Sequence, residues 1–179
     1  MQNRKITDIT TFDEDIRRFH DSFKLPFTWN LLKAQLYQES CLNPEAESPI
    51  GAKGLAQFMP DTWKEYTIKC GYPSTCSRID AHASIHCCAA YMRRLIDSWG
   101  VNRSEHDRYS LALASYNAGL GNLIRAQKIV RMAMDFPTII SSLHVVTGGA
   151  NATQTKNYVK RIWEYNDILV DYEIIPSQE

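Results

Sequence analysis

The stretch that most constrains this 179-residue chain runs from Gln35 to Thr62, where a helical apolar pattern meets a run punctuated by proline and glycine. Upstream, Trp29, Leu32 and Leu36 recur at three- and four-residue spacing, which places them on one face of a helix. Glu39 lies three residues beyond Leu36 and extends that face. An acid at the end of an inward-facing stripe is partly desolvated, and desolvation disfavours the charged form. A glutamate so placed can have its pKa raised to about 6–7 and keep a proton for use as a general acid. Helix phase alone favours the other reading, a solvated glutamate at a helix C-terminus.

The residues after Glu39 favour the first reading. Glu39-Ser40 leads to Asn43-Pro44, then to Ser48-Pro49-Ile50-Gly51-Ala52-Lys53-Gly54-Leu55-Ala56-Gln57-Phe58-Met59-Pro60 and Thr62. Pro44 and Pro49 end helical runs, and Gly51 and Gly54 permit tight turns or close approach to a ligand. Ser48, Gln57 and nearby amides can bind acetamido and hydroxyl groups. This long, rigidly spaced block resembles the first motif of the soluble lytic transglycosylases, a glycan-cleaving branch of the lysozyme superfamily. The resemblance implies Glu39 as the catalytic acid, with Ser48, Gln57 and Met59 on the substrate side.

Two later blocks extend the resemblance. Leu111 to Asn122 contains Ser115-Tyr116-Asn117-Ala118-Gly119, similar to the family's Ala-Tyr-Asn-Ala-Gly motif with serine for the first alanine. In the family that tyrosine lies against the catalytic glutamate, so Tyr116 inherits the role of orienting Glu39, and Asn117 accompanies it as a substrate-binding residue. The third block, Gln154-Thr155-Lys156-Asn157-Tyr158-Val159, resembles Glu-Thr-x-x-Tyr-Val, with a neutral amide at Gln154 where the family has an acid. Tyr158 matches and is expected to line the cleft. The resemblance spans roughly Thr28 to Ile168.

Helix signals fill the rest. Thr11 and Glu14 form a capping-box pattern before Phe12, Ile16, Phe19 and Phe23, predicting a helix over residues 11–23. Pro26 breaks it, and Thr28 caps the helix that carries Glu39. Thr62 and Glu65 repeat the capping-box pattern, predicting a short helix from Trp63 to about Lys69. Asp80 starts a long helix with the stripe Ile85, Cys88, Met92, Leu95, Ile96 and Trp99, stopped by Gly100. Asn122 opens another helix, Pro137-Thr138 begins the next, and Gly148-Gly149 ends that one. The last helix runs to about Val170, with Ile174-Ile175-Pro176 as a tail. No convincing strand alternation appears. The expected fold is all-α: a lysozyme-like helical domain over 25–179 with a glycan-binding cleft, preceded by an N-terminal helical extension over 1–24 packed on it.

Composition narrows the partners. Formal net charge is zero, so nothing global points to nucleic acid. No apolar run approaches the roughly 20 residues that span a bilayer, so no stable membrane insertion is expected. The five cysteines, Cys41, Cys70, Cys76, Cys87 and Cys88, are odd in number and irregular in spacing, unlike a disulfide framework. Cys70 and Cys76 bracket a Gly-Tyr-Pro-Ser-Thr loop and could pair in an oxidising compartment, but unpaired thiols are the favoured reading. Cys41 reads as a small apolar filler. His82 and His86 sit four apart on a helix, but the metalloprotease pattern needs glutamate where Ala83 stands. No metal and no cofactor are expected.

Glycosidases commonly place two carboxylates about 5–9.5 Å apart, yet only Glu39 sits in a matched motif; Glu45, Glu47 and Asp61 read as exposed loop acids. The resemblance implies a lyase of the single-acid kind. Such an enzyme cuts the β1,4 bond from N-acetylmuramic acid to N-acetylglucosamine in peptidoglycan and leaves a 1,6-anhydro ring. Two alternatives stand beside it: a muramidase that uses water on the same bond, and a non-catalytic wall-docking component. The first twenty residues have no apolar core of a signal peptide. Delivery to the cell wall is therefore expected through a lysis lesion, a virion or a dedicated export system, with a monomeric phage lysis or virion enzyme favoured.

Overall fold

The structure, a computed structural model, describes residues 5–100 and 102–174. Among these the regular elements are helices, and the only β-type pairing is two isolated bridges, Glu47 with Lys53 and Lys53 with Phe58. The all-α expectation holds. The chain divides into two compact units, Met1–Tyr91 with Ile162–Glu179, and Met92–Arg161.

In the first unit, helix α1 (Asp13–Ser22) follows a 3-10 turn at Ile6–Asp8. Its first turn carries Asp13, Glu14 and Asp15, acids that complement the helix's positive end. The predicted Thr11–Glu14 capping box does not form, because Phe12 occupies the N-cap one residue later. Ile16 and Phe19 are buried as the stripe required.

Helix α2 (Trp29–Ser40) has Thr28 at its N-cap, in an extended conformation and without a side-chain capping bond. The predicted single apolar face is too narrow. Every residue from Asn30 to Leu36 is buried, polar Lys33 and Gln35 included, so α2 is a core helix enclosed on all sides. Lys33, only 2% exposed, is neutralised by Asp13 of α1 at 2.7 Å, as a buried charge must be.

Helix α3 (Pro60–Lys69) begins three residues before the predicted start. Pro60 takes the first helical position, where a missing N–H costs nothing and φ is already suitable. Helix α4 (Ala81–Ser98) starts as expected, with Asp80 Oδ1 accepting the Ala83 N–H at 2.9 Å. Its whole predicted stripe is buried, and Gly100 beyond it adopts φ 64°.

The second unit holds the end of α4, then α5 (Glu105–Ala118), α6 (Leu120–Ile129), α7 (Phe136–Ser141) and α8 (Leu143–Thr147). It also takes the first part of α9 (Gly149–Ile174). Small residues along α5 keep Leu111 to Ala114 wholly buried. Trp99 donates its indole N–H to Ser115 Oγ at 3.0 Å, and that serine donates to Leu111 O. Helix α6 begins at Leu120 rather than Asn122. The single helix predicted after Pro137 is two, broken at Ser142, whose hydroxyl lies 2.8 Å from Ala126 O of α6. Ile174 belongs to α9, while Ile175 and Pro176 of the predicted tail lie outside the described residues.

Candidate active site

Glu39 stands in the last turn of α2 and is half-buried. Immediately after it the chain is forced to turn: Cys41 (φ 53°) and Leu42 (φ 58°) are both left-handed, a conformation that costs a non-glycine residue roughly 1–2 kcal/mol. Strain of this size persists only where surrounding contacts impose it. Ser40 supplies one. Its Oγ lies 2.8 Å from Leu55 O and 3.2 Å from Leu36 O, tying the acid's own turn to the loop that follows. Cys41 is exposed at the helix C-cap, so it does not fill the core as expected.

The loop from Asn43 to Met59 is held by side chains bonded to backbone. Ser48 Oγ accepts the Ala52 N–H at 2.9 Å, closing a turn in which Gly51 has φ 85°. Gly54, also at φ 85°, is pressed so closely on the next segment that an added Cβ would fall 1.9 Å from Arg78 O. Arg78 reaches back with Nη1 to Gly51 O at 2.6 Å and Phe58 O at 3.0 Å. Ser84 of α4 accepts the buried Ala56 N–H at 3.2 Å.

Gln57 is itself in the left-handed region (φ 47°). Its amide nitrogen donates to Ala46 O at 3.0 Å and Gly54 O at 2.9 Å. Both N–H bonds are thus committed to the loop, and the amide presents Oε1, an acceptor, to anything else. Met59, 41% exposed, forms the N-cap of α3. The structure therefore gathers Glu39, Ser48, Gln57 and Met59 on one turn and its loop within the first unit. Sequence reading missed the braces Arg78 and Ser84; neither belongs to a motif, and only packing brings them to the loop.

The second unit gathers the other candidates. Tyr116 is half-buried and Asn117 exposed in the last turn of α5. Gly119 (φ 88°) ends that helix, and Asn122 Nδ2 donates to Ala118 O at 2.7 Å. Asn117 Oδ1 lies 2.9 Å from the hydroxyl of Thr155, a residue 1% exposed on α9. One hydrogen bond thus joins the second and third motifs. Tyr158, one turn further, is buried, and Gln154 is exposed.

The histidines and cysteines are placed elsewhere. His82 lies 3.0 Å from Asp15. His86 stacks on Phe19, with ring centroids 4.4 Å apart, and meets the Tyr72 hydroxyl at 3.1 Å. Burial pushes the Tyr72 phenol up to about 12 and holds the His86 imidazole low. All five cysteines are thiols, so Cys70 is not paired with Cys76. Among the described residues no group of three or more His, Cys, Asp or Glu is placed to hold a metal ion.

An all-α fold with one half-buried acid above a braced glycine-rich loop defines the lysozyme-like class of helical proteins. Residues 23–136 match the Transglycosylase SLT domain, and the chain belongs to that family. The match ends before the third motif. Among curated relatives, the membrane-bound lytic murein transglycosylase F of Desulfosudis oleivorans is 31% identical over 93% of this chain and 42% of its own length. Its counterpart from Aliivibrio fischeri is 28% identical over 82% of this chain and 31% of its own. The chain thus spans less than half of these relatives. Among solved structures, an inactive glutamate-to-glutamine mutant of the lytic transglycosylase Slt from Pseudomonas aeruginosa superposes with a TM-score of 0.70. The two are 27% identical over 89% of this chain and 24% of that one. The 70-kDa soluble lytic transglycosylase of Escherichia coli shares the fold, with a TM-score of 0.69 at 24% identity over 88% of this chain and 24% of that one.

Proposed function

We propose that the chain is a peptidoglycan lytic transglycosylase with Glu39 as its single general acid and base. The observation that carries this reading is the placement of Glu39, half-buried and tied through Ser40 to a loop braced from two sides. A general acid must be held within hydrogen-bond reach of the atom it protonates, and preorganisation of that kind is what the braces supply. The inactive glutamate-to-glutamine mutant of the Pseudomonas relative supports one indispensable glutamate.

In this mechanism Glu39 gives its proton to the glycosidic oxygen between N-acetylmuramic acid and N-acetylglucosamine, and the C–O bond breaks. The substrate's own acetamido oxygen stabilises the anomeric cation, a recognised exception to two-carboxylate catalysis. The Glu39 carboxylate then takes the proton of the muramoyl 6-hydroxyl, whose oxygen closes the 1,6-anhydro ring. Proton and electron pairs balance without water, metal or cofactor. Ser48, Gln57 and Met59 bind the glycan, with Gln57 accepting from a sugar N–H or O–H. Tyr116, Asn117 and Tyr158 complete the substrate-binding set, and Tyr116 tunes the acid. Residues 25–179 form the catalytic domain and 1–24 an extension packed on it.

The partner is a peptidoglycan glycan strand met by a monomer at the cell wall. Among the described residues no helix is long and apolar enough to cross a membrane. Mass spectrometry of digested peptidoglycan tests the chemistry. The expected products end in anhydro-muramic acid. Products heavier by one water would make the enzyme a muramidase, and full bacteriolytic effect from Glu39→Gln would make the chain a docking component.

A further inference from the structure

We propose that the N-terminal end of α2 carries a second glycan-binding site, which holds a neutral N-acetylated sugar away from Glu39. The choice of a sugar rests on the proposed peptidoglycan substrate; the site stands on its own geometry. Trp29 precedes Glu39 by ten residues, roughly 15 Å along the helix axis. A cavity of about 140 Å³ lies there among three helices. Asp13 and Arg17 of α1, Trp29 and Asn30 of α2, and Tyr172 and Glu173 of α9 line it. A wider cavity of about 400 Å³ shares Thr7 and Tyr172 with the first, so the two adjoin.

The walls are polar but electrically balanced. Lys33, also in the lining, pairs with Asp13 at 2.7 Å, and Arg17 meets Glu173 at 3.4 Å. A ligand ion of either sign would find each opposite charge already paired and a like charge beside it. One demand is left over. Asn30 is 0% exposed, and its Nδ2 donates to Glu173 Oε2 at 3.0 Å. An ionised carboxylate only accepts, which fixes the end of the amide that faces it. Oδ1 is therefore turned away from Glu173, and among the described residues it has no hydrogen-bond partner. A buried acceptor left bare is costly and rare. It calls for an uncharged N–H or O–H donor, and the N–H of an acetamido group is one.

Arg17 is the side chain that can yield to such a ligand. Its guanidinium covers the Trp29 ring at 3.9 Å, and its side chain is 55% exposed. Exposed ion pairs and exposed cation–π contacts are both weak. Once it swings aside, the indole offers its face to a sugar ring beside Asn30. Tyr172, an exposed residue, adds a second aromatic side chain. Aromatic walls with a few fixed polar groups are the usual make-up of a small-ligand pocket. A strand gripped here stays close to Glu39 between cuts, which raises its effective concentration without altering the chemical step.

The experiment is a titration of the full chain, carrying Glu39→Gln, with tri-N-acetylchitotriose. The readout is the indole N–H resonance of Trp29, assigned with Trp29→Phe. A saturable shift is expected. Asn30→Leu, which keeps the volume and removes the acceptor, should weaken it about five- to tenfold. Tyr172→Ala, at an exposed position that folding does not need, should also weaken it. In the otherwise wild-type enzyme Tyr172→Ala should raise KM for intact cell wall several-fold, with kcat and Tm unchanged. A silent Trp29, an equal response to inorganic phosphate or methylammonium, or full affinity in both variants would each overturn the proposal. Release of anhydro-muramic products by the wild type is scored separately. Products with a silent Trp29 sink the second site alone; a Trp29 response without products upholds the site and overturns the catalytic reading.

Discussion

The two units carry their candidate residues in contrasting ways. In the first, Glu39 and its loop are braced by long-range side-chain bonds to backbone, from Arg78 to Gly51 and Phe58 and from Ala56 to Ser84. In the second, Tyr116 and Asn117 end an α-helix stopped by Gly119, with Asn122 Nδ2 donating to Ala118 O and the Thr155 hydroxyl bonded to Asn117. Irregular backbone has no ladder of its own to satisfy its N–H and C=O groups, so a loop that must hold still borrows partners from elsewhere in the fold. A helix end needs far fewer. The first unit should therefore be the more easily broken by substitution.

The largest contrast is chemical. Glu39→Gln should lower kcat about 10²–10⁴-fold, the usual worth of a general acid, with Tm unchanged. Tyr116→Phe should cost roughly tenfold, the worth of one hydrogen bond, and move the basic limb of the pH–rate profile. An unmoved limb would show that Tyr116 does not tune the acid.

Next comes stability at two glycines, both at positive φ. Gly54→Ala drives a Cβ onto the Arg78 carbonyl, whereas at Gly119 the nearest atom is Asn122 Nδ2 at 3.8 Å. Gly119→Ala should cost about 1–3 kcal/mol of backbone strain alone, and Gly54→Ala about 2 kcal/mol more for the overlap. Equal denaturation midpoints would contradict the asymmetry.

A subtler pair tests the hydroxyls. Ser40→Ala and Thr155→Val should each destabilise by about 1 kcal/mol. Only the first should lower kcat several-fold at nearly constant KM, because Ser40 shares the acid's turn. Parallel kinetic effects in both variants would dissolve the distinction.

The smallest effect is a pH dependence confined to the first unit. Burial, with His82 and Arg18 nearby, holds the His86 imidazole below its ordinary 6.5. The unfolded chain then binds a proton there that the folded chain does not, so stability rises with pH. His86's contribution is complete above about 6.5 and is lost as pH falls from that value toward the lowered folded one. Between about pH 7.5 and pH 5 the wild type should lose a few degrees of Tm more than His86→Gln; identical slopes would refute the assignment.

Much of this was legible in advance, for reasons that differ by residue. The α4 stripe was correct because apolar periodicity on a half-buried helix is a local signal. On α2 the same signal misled: full burial of Lys33 depends on Asp13, twenty positions upstream. Capping boxes at Thr11 and Thr62 failed because packing and Pro60 moved each helix start. Ser48 and Gln57 were visible in the sequence as polar groups of the loop, but their commitments to Ala52, Ala46 and Gly54 were not. The break at Ser142 follows from a bond to α6 that no pattern within α7 and α8 announces.

Sequence alone determined the all-α class, the family and the position of the acid at the end of its helix. Each rests on residue types at fixed short spacing, which constrain the backbone wherever they occur. Tertiary structure alone decided which groups brace the loop and which charges could be buried. Those outcomes join residues far apart in the chain, and the contacts exist only once the helices have packed.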